Sequence, residues 1–228
     1  MGNNYNNRNA EIPSFTGIRL SSMMWWIFGL TATPLACILF NISSGRFFSL
    51  RQSVVLQGFT SVINFAAMVA LAINYLKLSS YSDRYKKGGI FIFALCGVKL
   101  FSFLASFLTK MMIEILPYKA AAVGIGITNI VISILTFVFG LLAVYNYSKG
   151  HCELIGYEDE KLGNMWGKFF LVYIGAMALS LIITIIFTFG LYNLLGYINY
   201  VTTFISVAIS TFECVLLALT ANKCREIK

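Results

Sequence analysis

Hydrophobic residues fall into six long runs separated by shorter polar segments. Each run has about 20 residues, the length that an α-helix needs to cross ~30 Å of hydrocarbon at 1.5 Å per residue. Strands of a membrane barrel would be only about 10 residues long and would alternate polar and apolar positions. The predicted spans are 23–42, 54–76, 89–108, 120–146, 168–191 and 198–220.

Composition supports this interpretation, because 58% of the 228 residues are hydrophobic and only 11% are charged, against about 25% charged residues in soluble domains. We therefore predict an all-α integral membrane protein, a bundle of about six transmembrane helices. An asparagine-rich tail at 1–22 is predicted to be flexible and cytoplasmic. The transmembrane domain is expected at 23–220, followed by a cytoplasmic tail at 221–228.

The distribution of positive charge predicts the orientation. A net charge of +8 does not indicate nucleic-acid binding here, since basic loops of a multi-span protein chiefly set its topology. Most of the basic residues lie in the N-terminal tail, after the second and fourth spans, and at the C-terminus, while the opposite connections carry few. Both termini are therefore predicted to be cytoplasmic, in the cell membrane if the protein is bacterial. The lipid bilayer is the expected partner. A second copy or other membrane subunits are further candidate partners.

The even-numbered spans end alike, with Leu-Ala pairs at 71–72, 142–143 and 217–218, each followed by an asparagine and a lysine. One interpretation is a two-span hairpin used three times in the same orientation. The other is that such ends are common in membrane helices, because lysine is enriched beyond a cytoplasmic span end.

Lys99 and Glu213 are the charged residues predicted to lie deep within spans. A charge near the bilayer centre costs at least ~2.5–3.5 kcal/mol on insertion scales, so a compensating partner is expected. Counting from the span ends puts the two at similar depth, and we predict an ion pair between the third and sixth spans. The pair would either fix helix packing or line a polar path.

Asn64 and Asn129 are further polar candidates inside the second and fourth spans. Amides in membrane helices most often bond to a neighbouring helix, for ~0.6 kcal/mol on average. If both faced the same interior as Lys99 and Glu213, a hydrated cavity would follow.

The connection at 151–167 is predicted to be the longest cytoplasmic one. Its acidic run, Glu153 and 158–160, is interpreted as a solvated turn or short surface helix, with a docking site as the alternative. The single histidine, His151, is placed in this loop. With Cys152 beside it and Cys224 distant in sequence, the spacing does not indicate a zinc site.

Enzymatic motifs are missing from the sequence. It contains no His-Glu-x-x-His site, no Gly-x-Ser nucleophile turn and no phosphate-binding glycine loop, so neither catalytic residues nor a cofactor is predicted. The leading hypothesis is a small transporter, channel or transporter subunit with a polar interior around Lys99, Glu213, Asn64 and Asn129. The alternative is a non-transporting scaffold, assembly factor, complex subunit or envelope-protective protein.

Overall fold

Six long helices account for nearly all of the structure described by the computed structural model, which covers residues 17–44, 50–115, 118–156, 158–189 and 195–226. Each contains a stretch long and apolar enough to cross a membrane, so the predicted all-helical membrane bundle is confirmed. The helices are α1 (Gly17–Ser44), α2 (Leu50–Lys77), α3 (Asp83–Ile115), α4 (Tyr118–Ile155), α5 (Glu160–Phe189) and α6 (Leu195–Cys224).

The helices extend beyond the predicted spans, most clearly in α4. This helix has 38 residues and is therefore about 57 Å long, well beyond the ~30 Å of the hydrocarbon core. The predicted connection at 151–167 is wrong, because α4 continues to Ile155 and α5 begins at Glu160. Hydrophobicity indicates where a helix leaves the lipid, but not where the helix ends. A helix can continue outside the lipid as long as its backbone hydrogen bonds are satisfied.

The predicted N-terminal tail also ends earlier than expected. α1 begins at Gly17, so residues 17–22 form its first turns. Residues 1–16 of the tail lie outside the described residues, as do residues 227–228 of the C-terminal tail.

The six helices form a closed ring. Each packs chiefly on the helices before and after it in sequence, and α6 returns to pack on α1. The Ser21 hydroxyl in α1 donates a hydrogen bond to the Ala221 carbonyl in α6, 2.7 Å away. This ring places α3 opposite α6, with the interior between them.

The core is concentrated at one end of the ring, where α1, α3 and α5 begin and α2, α4 and α6 end. We call this the sealed end. Side chains there are almost fully buried on all six helices, among them Met24, Ala72, Ile92, Phe169 and Leu217. The predicted cytoplasmic side of the protein corresponds to this end.

Close helix contacts at the sealed end depend on glycine. A Cβ atom on Gly89 of α3 would lie 2.9 Å from Leu76 of α2, and one on Gly150 of α4 would lie 2.8 Å from the Tyr85 ring of α3. Both distances are shorter than ordinary carbon contacts. Glycine at these positions therefore lets α3 approach its two neighbours and hold the aromatic side chains between them.

Candidate functional site

An aromatic plug closes the interior of the ring at the sealed end. Its side chains come from α2, α3, α4 and α5, and none is more than 5% exposed. The ring of Tyr75 stacks on those of Tyr85 and Tyr147, with centroid distances of 5.9 and 5.1 Å. We define the aromatic plug as Tyr75, Tyr85, Tyr147, His151, Trp166 and Phe169.

His151 lies at the centre of the plug, one turn after Tyr147 on α4. Its ring stacks on Trp166, with centroids 4.3 Å apart. Its Nδ1 is 3.0 Å from the Tyr85 hydroxyl, and its Nε2 is 3.4 Å from the Tyr75 hydroxyl. A neutral imidazole donates from one nitrogen and accepts at the other, so His151 connects phenols from two different helices.

α6 completes the polar contacts of this region. The Trp166 indole N–H donates to the Thr220 hydroxyl at 3.0 Å. The Tyr147 hydroxyl donates to Oε1 of Glu213 at 2.6 Å. Buried polar groups in proteins are normally satisfied in this way, and the contact places the Glu213 carboxylate directly beside the plug, on the side away from the sealed end.

The polar residues predicted from sequence lie on the helix faces that carry the plug. Asn64 precedes Tyr75 by 11 residues, Lys99 follows Tyr85 by 14, and Asn129 precedes Tyr147 by 18. At 100° per residue, these separations are within about 40° of whole turns. The three residues therefore share the inward faces of α2, α3 and α4, at roughly 16, 21 and 27 Å from the plug.

On α4, α5 and α6, burial changes sharply beyond the level of Glu213. Lys99 and Asn129 are exposed, and Asn64 and Glu213 are half-buried, whereas the plug residues on the same faces are buried. Among the described side chains, none is buried in 124–139 of α4, 170–186 of α5 or 203–213 of α6. We call this part of the bundle, with the facing parts of α1, α2 and α3, the open half, because packing covers few side chains there; Thr60, Ala67 and Ala105 on α2 and α3 remain buried.

A groove between α4 and α5 continues the polar surface of the open half. It has a volume of about 140 Å³ and is lined on both sides by hydroxyl groups, those of Ser133 and Thr136 on α4 and of Ser180 and Thr184 on α5. Ser133 and Thr136 lie between Asn129 and Tyr147 on the inward side of α4. The Tyr173 hydroxyl approaches α4 at Gly140, toward the plug, where a Cβ atom would lie 3.0 Å from it.

Two oxygen atoms on α1 and α2 support a polar environment in the open half. Thr31 Oγ1 and Asn64 Oδ1 are buried without a hydrogen-bond partner in the described protein. Unpaired buried oxygens are rare and are usually explained by bound water or an ion. These atoms are therefore candidate ligands for a polar species inside the ring.

The predicted ion pair does not form in the described structure. Glu213 bonds to Tyr147 instead, and no salt bridge joins it to Lys99. α3 and α6 are not neighbouring helices in the ring. Lys99 is also much farther from the plug than Glu213. α3 begins six residues before the predicted span and α6 ends four residues after it, so the distances of Lys99 and Glu213 from their helix ends differ by five residues and not by three.

The acidic residues Glu153 and 158–160 lie at the sealed end, where α4 ends and α5 begins. Glu153 lies in α4, where its carboxylate accepts from the Ser82 hydroxyl at 2.5 Å and lies 3.6 Å from Nε of Arg84. Asp159 accepts from the Leu162 amide at 2.9 Å, at the start of α5. Within the described residues, no three His, Cys, Asp or Glu side chains are grouped as metal ligands.

Sequence reasoning missed the plug, although one signal was available. An Asn-Tyr pair recurs in the similar ends of the second and fourth spans, as Asn74-Tyr75 and Asn146-Tyr147, three and four residues after the leucine of the Leu-Ala pair. In the structure, the two asparagines make the same bond to the carbonyl four residues earlier, at 2.8 and 2.7 Å. The tyrosines that follow stack on each other, so the similarity marked the site as well as the fold.

No protein-family model, curated protein or solved structure matches this chain.

Proposed function

We propose that the protein is a small membrane transporter whose substrate path is the open half, ends at Glu213 and is closed by the aromatic plug. The observation that carries the proposal is the change along the inward faces, from buried aromatic side chains to exposed or half-buried polar ones. Transporter sites lie near the bilayer midplane and require access from one side at a time. A path that is open at one end and closed by a plug at the other would have this form.

The chemistry of the path favours a charged or strongly polar substrate. Glu213, Lys99, Asn64 and Asn129 supply a carboxylate, an ammonium and two amides along the inward faces. An uncompensated charge in a membrane interior is costly and usually marks a substrate or ion path. The absence of catalytic motifs in the sequence supports transport over an enzymatic role.

The predicted topology gives the path a direction. The positive-inside rule places the basic residues at the sealed end in the cytoplasm, and exposed lysines there include Lys77, Lys86, Lys149 and Lys161. The open half is then accessible from the opposite side of the membrane.

Cysteine accessibility in lipid vesicles tests the proposal. Glu213 and Lys99 would each be replaced by cysteine in a background in which the five native cysteines are substituted. A small water-soluble thiol reagent is then expected to label both positions rapidly, and only when it is added from the side opposite the sealed end.

Two control positions on α6 make the test specific. Val215→Cys lies on the other side of the helix, where Val215 is 50% exposed, and Thr220→Cys lies in the fully buried sealed end. Both are expected to label slowly, the first because lipid covers it and the second because packing does. Failure to label folded Glu213→Cys would contradict the proposal and favour a non-transporting bundle.

A further inference from the structure

We infer that protons cross the sealed end along a relay that runs from Glu213 through Tyr147, Tyr75 and His151 to Tyr85, which makes the proton the ion that this protein moves. The inference rests on the proposed function, because Glu213 must be reached by water from the open half. It gives the aromatic plug, which otherwise only closes the substrate path, a role in moving protons.

The contacts in the plug form a nearly continuous series of proton-carrying groups. Glu213 Oε1 and the Tyr147 hydroxyl are 2.6 Å apart, the Tyr75 hydroxyl and His151 Nε2 are 3.4 Å apart, and His151 Nδ1 and the Tyr85 hydroxyl are 3.0 Å apart. The step from Tyr147 to Tyr75 joins two stacked rings with centroids 5.1 Å apart. The relay requires one bridging water between the two hydroxyls at this step.

Each transfer can be balanced without leaving a charge in the plug. A proton from the open half binds the Glu213 carboxylate, and the acid passes a proton to the Tyr147 oxygen as that phenol gives its own proton toward Tyr75. Tyr75 then protonates His151 Nε2, while the proton on Nδ1 moves to the Tyr85 oxygen. Rotation of the hydroxyls and exchange of the imidazole tautomer restore the starting state.

Tyr85 releases its proton toward an acidic group near the surface of the sealed end. Glu153 lies two residues after His151 on α4 and contacts Ser82 and Arg84, which are three residues and one residue before Tyr85 in the chain. Its own carboxylate is exposed and is held by Ser82 and Arg84. Glu153 can therefore accept the proton from Tyr85 and pass it to solvent.

Proton flux into liposomes tests the relay with the full-length protein. A pH-sensitive dye inside the vesicles would report proton entry driven by a potassium diffusion potential. We expect flux with the unmodified protein and a loss of about 100-fold in Tyr75→Phe, Tyr85→Phe, His151→Phe and Glu213→Gln, since a positioned proton carrier contributes ~10²–10⁴-fold.

The matched control is Tyr145→Phe. Tyr145 is two residues before Tyr147, but its ring packs on Phe170 with centroids 5.2 Å apart and lies under the Arg84 guanidinium. Among the described interactions it has no contact with His151, and Tyr145→Phe keeps the ring that Arg84 contacts. Removing the Tyr145 hydroxyl is expected to leave the proton flux unchanged. The tyrosine-to-phenylalanine variants keep the six-membered ring and lose only the hydroxyl. They can therefore be compared with the unmodified protein at equal folded yield, even if His151→Phe does not fold.

The outcomes separate the two proposals. Labelling of Glu213→Cys without proton flux in the unmodified protein would overturn the relay and leave the transport path standing. Full flux in Tyr85→Phe or Tyr75→Phe would overturn the relay as drawn here. Loss of flux in both Tyr75→Phe and Tyr85→Phe at equal folded yield, with unchanged flux in Tyr145→Phe, would support it.

Discussion

Gly150 shows how one residue controls the position of the plug. It precedes His151 on α4, and its backbone lies against the ring of Tyr85. A larger residue here would displace the ring that His151 contacts through Nδ1. The spacing between α3 and α4 is therefore set at this residue, together with the hydrogen bond that the relay uses.

Gly150→Ala is expected to lower the free energy of unfolding by about 1–3 kcal/mol, the usual cost of overpacking a core. Gly167→Ala on α5 is the control, because its Cβ atom would have nothing within 4 Å. That variant should be neutral or slightly stabilising, since alanine favours a helix over glycine by up to ~1 kcal/mol. Thermal unfolding in detergent measures both, and equal stability of the two variants would contradict the packing described here.

Individual helices were largely predictable because each must contain an apolar stretch of about 20 residues to cross the bilayer. The six spans and their order follow from hydrophobicity alone, and the structure confirms them. Helix ends were not predictable in the same way. Lys149, His151 and Glu153 are polar, and this polarity predicts a loop. They nevertheless continue α4, because outside the lipid water or other side chains can hydrogen-bond to the polar groups of a helix.

The start of α5 is one end that side-chain chemistry does explain. Asp159 accepts from the Leu162 amide, as an N-cap residue does, and replacing such a cap by alanine typically costs about 0.5–2 kcal/mol. We therefore expect Asp159→Ala to lower the unfolding temperature. Glu158→Ala, one residue earlier and exposed, should leave it nearly unchanged. A larger loss at Glu158 than at Asp159 would show that the cap is assigned to the wrong residue.

The whole molecule combines a tightly packed end with an open half, and this contrast was not predictable from the sequence. In α4 the segment at 128–136 is the more apolar one, whereas the buried segment at 143–151 contains Asn146, Ser148, Lys149 and His151, so hydrophobicity alone points to the wrong half as the packed one. What differs is which helices meet across the ring, and that depends on contacts between residues far apart in sequence. The candidate residues were found individually because charge and amide groups are rare in spans. Their partners were not, since tyrosine and tryptophan resemble ordinary core residues.

Hydrogen exchange should reveal this contrast along a single helix. Amides at 143–151 of α4 lie among buried side chains, whereas those at 128–136 lie where no described side chain is buried. In lipid nanodiscs we expect the second group to exchange at least about ten-fold faster, equivalent to ~1.4 kcal/mol in local opening. Because both groups lie in the same helix, intrinsic helix stability is controlled. Equal rates would mean that the open half is as well packed as the sealed end.

The contact between α1 and α6 also has a consequence for biogenesis. Ser21 and Ala221 are 200 residues apart in sequence, and a ribosome adding ~5–20 residues per second needs about 10–40 s to make that interval. During this time α1 is in the membrane without the helix that will cover one of its sides. Until α6 leaves the ribosome, that side of α1 must be shielded by a chaperone, by the insertion machinery or by lipid. Loss of α6 would leave the nascent ring as a substrate for membrane proteases.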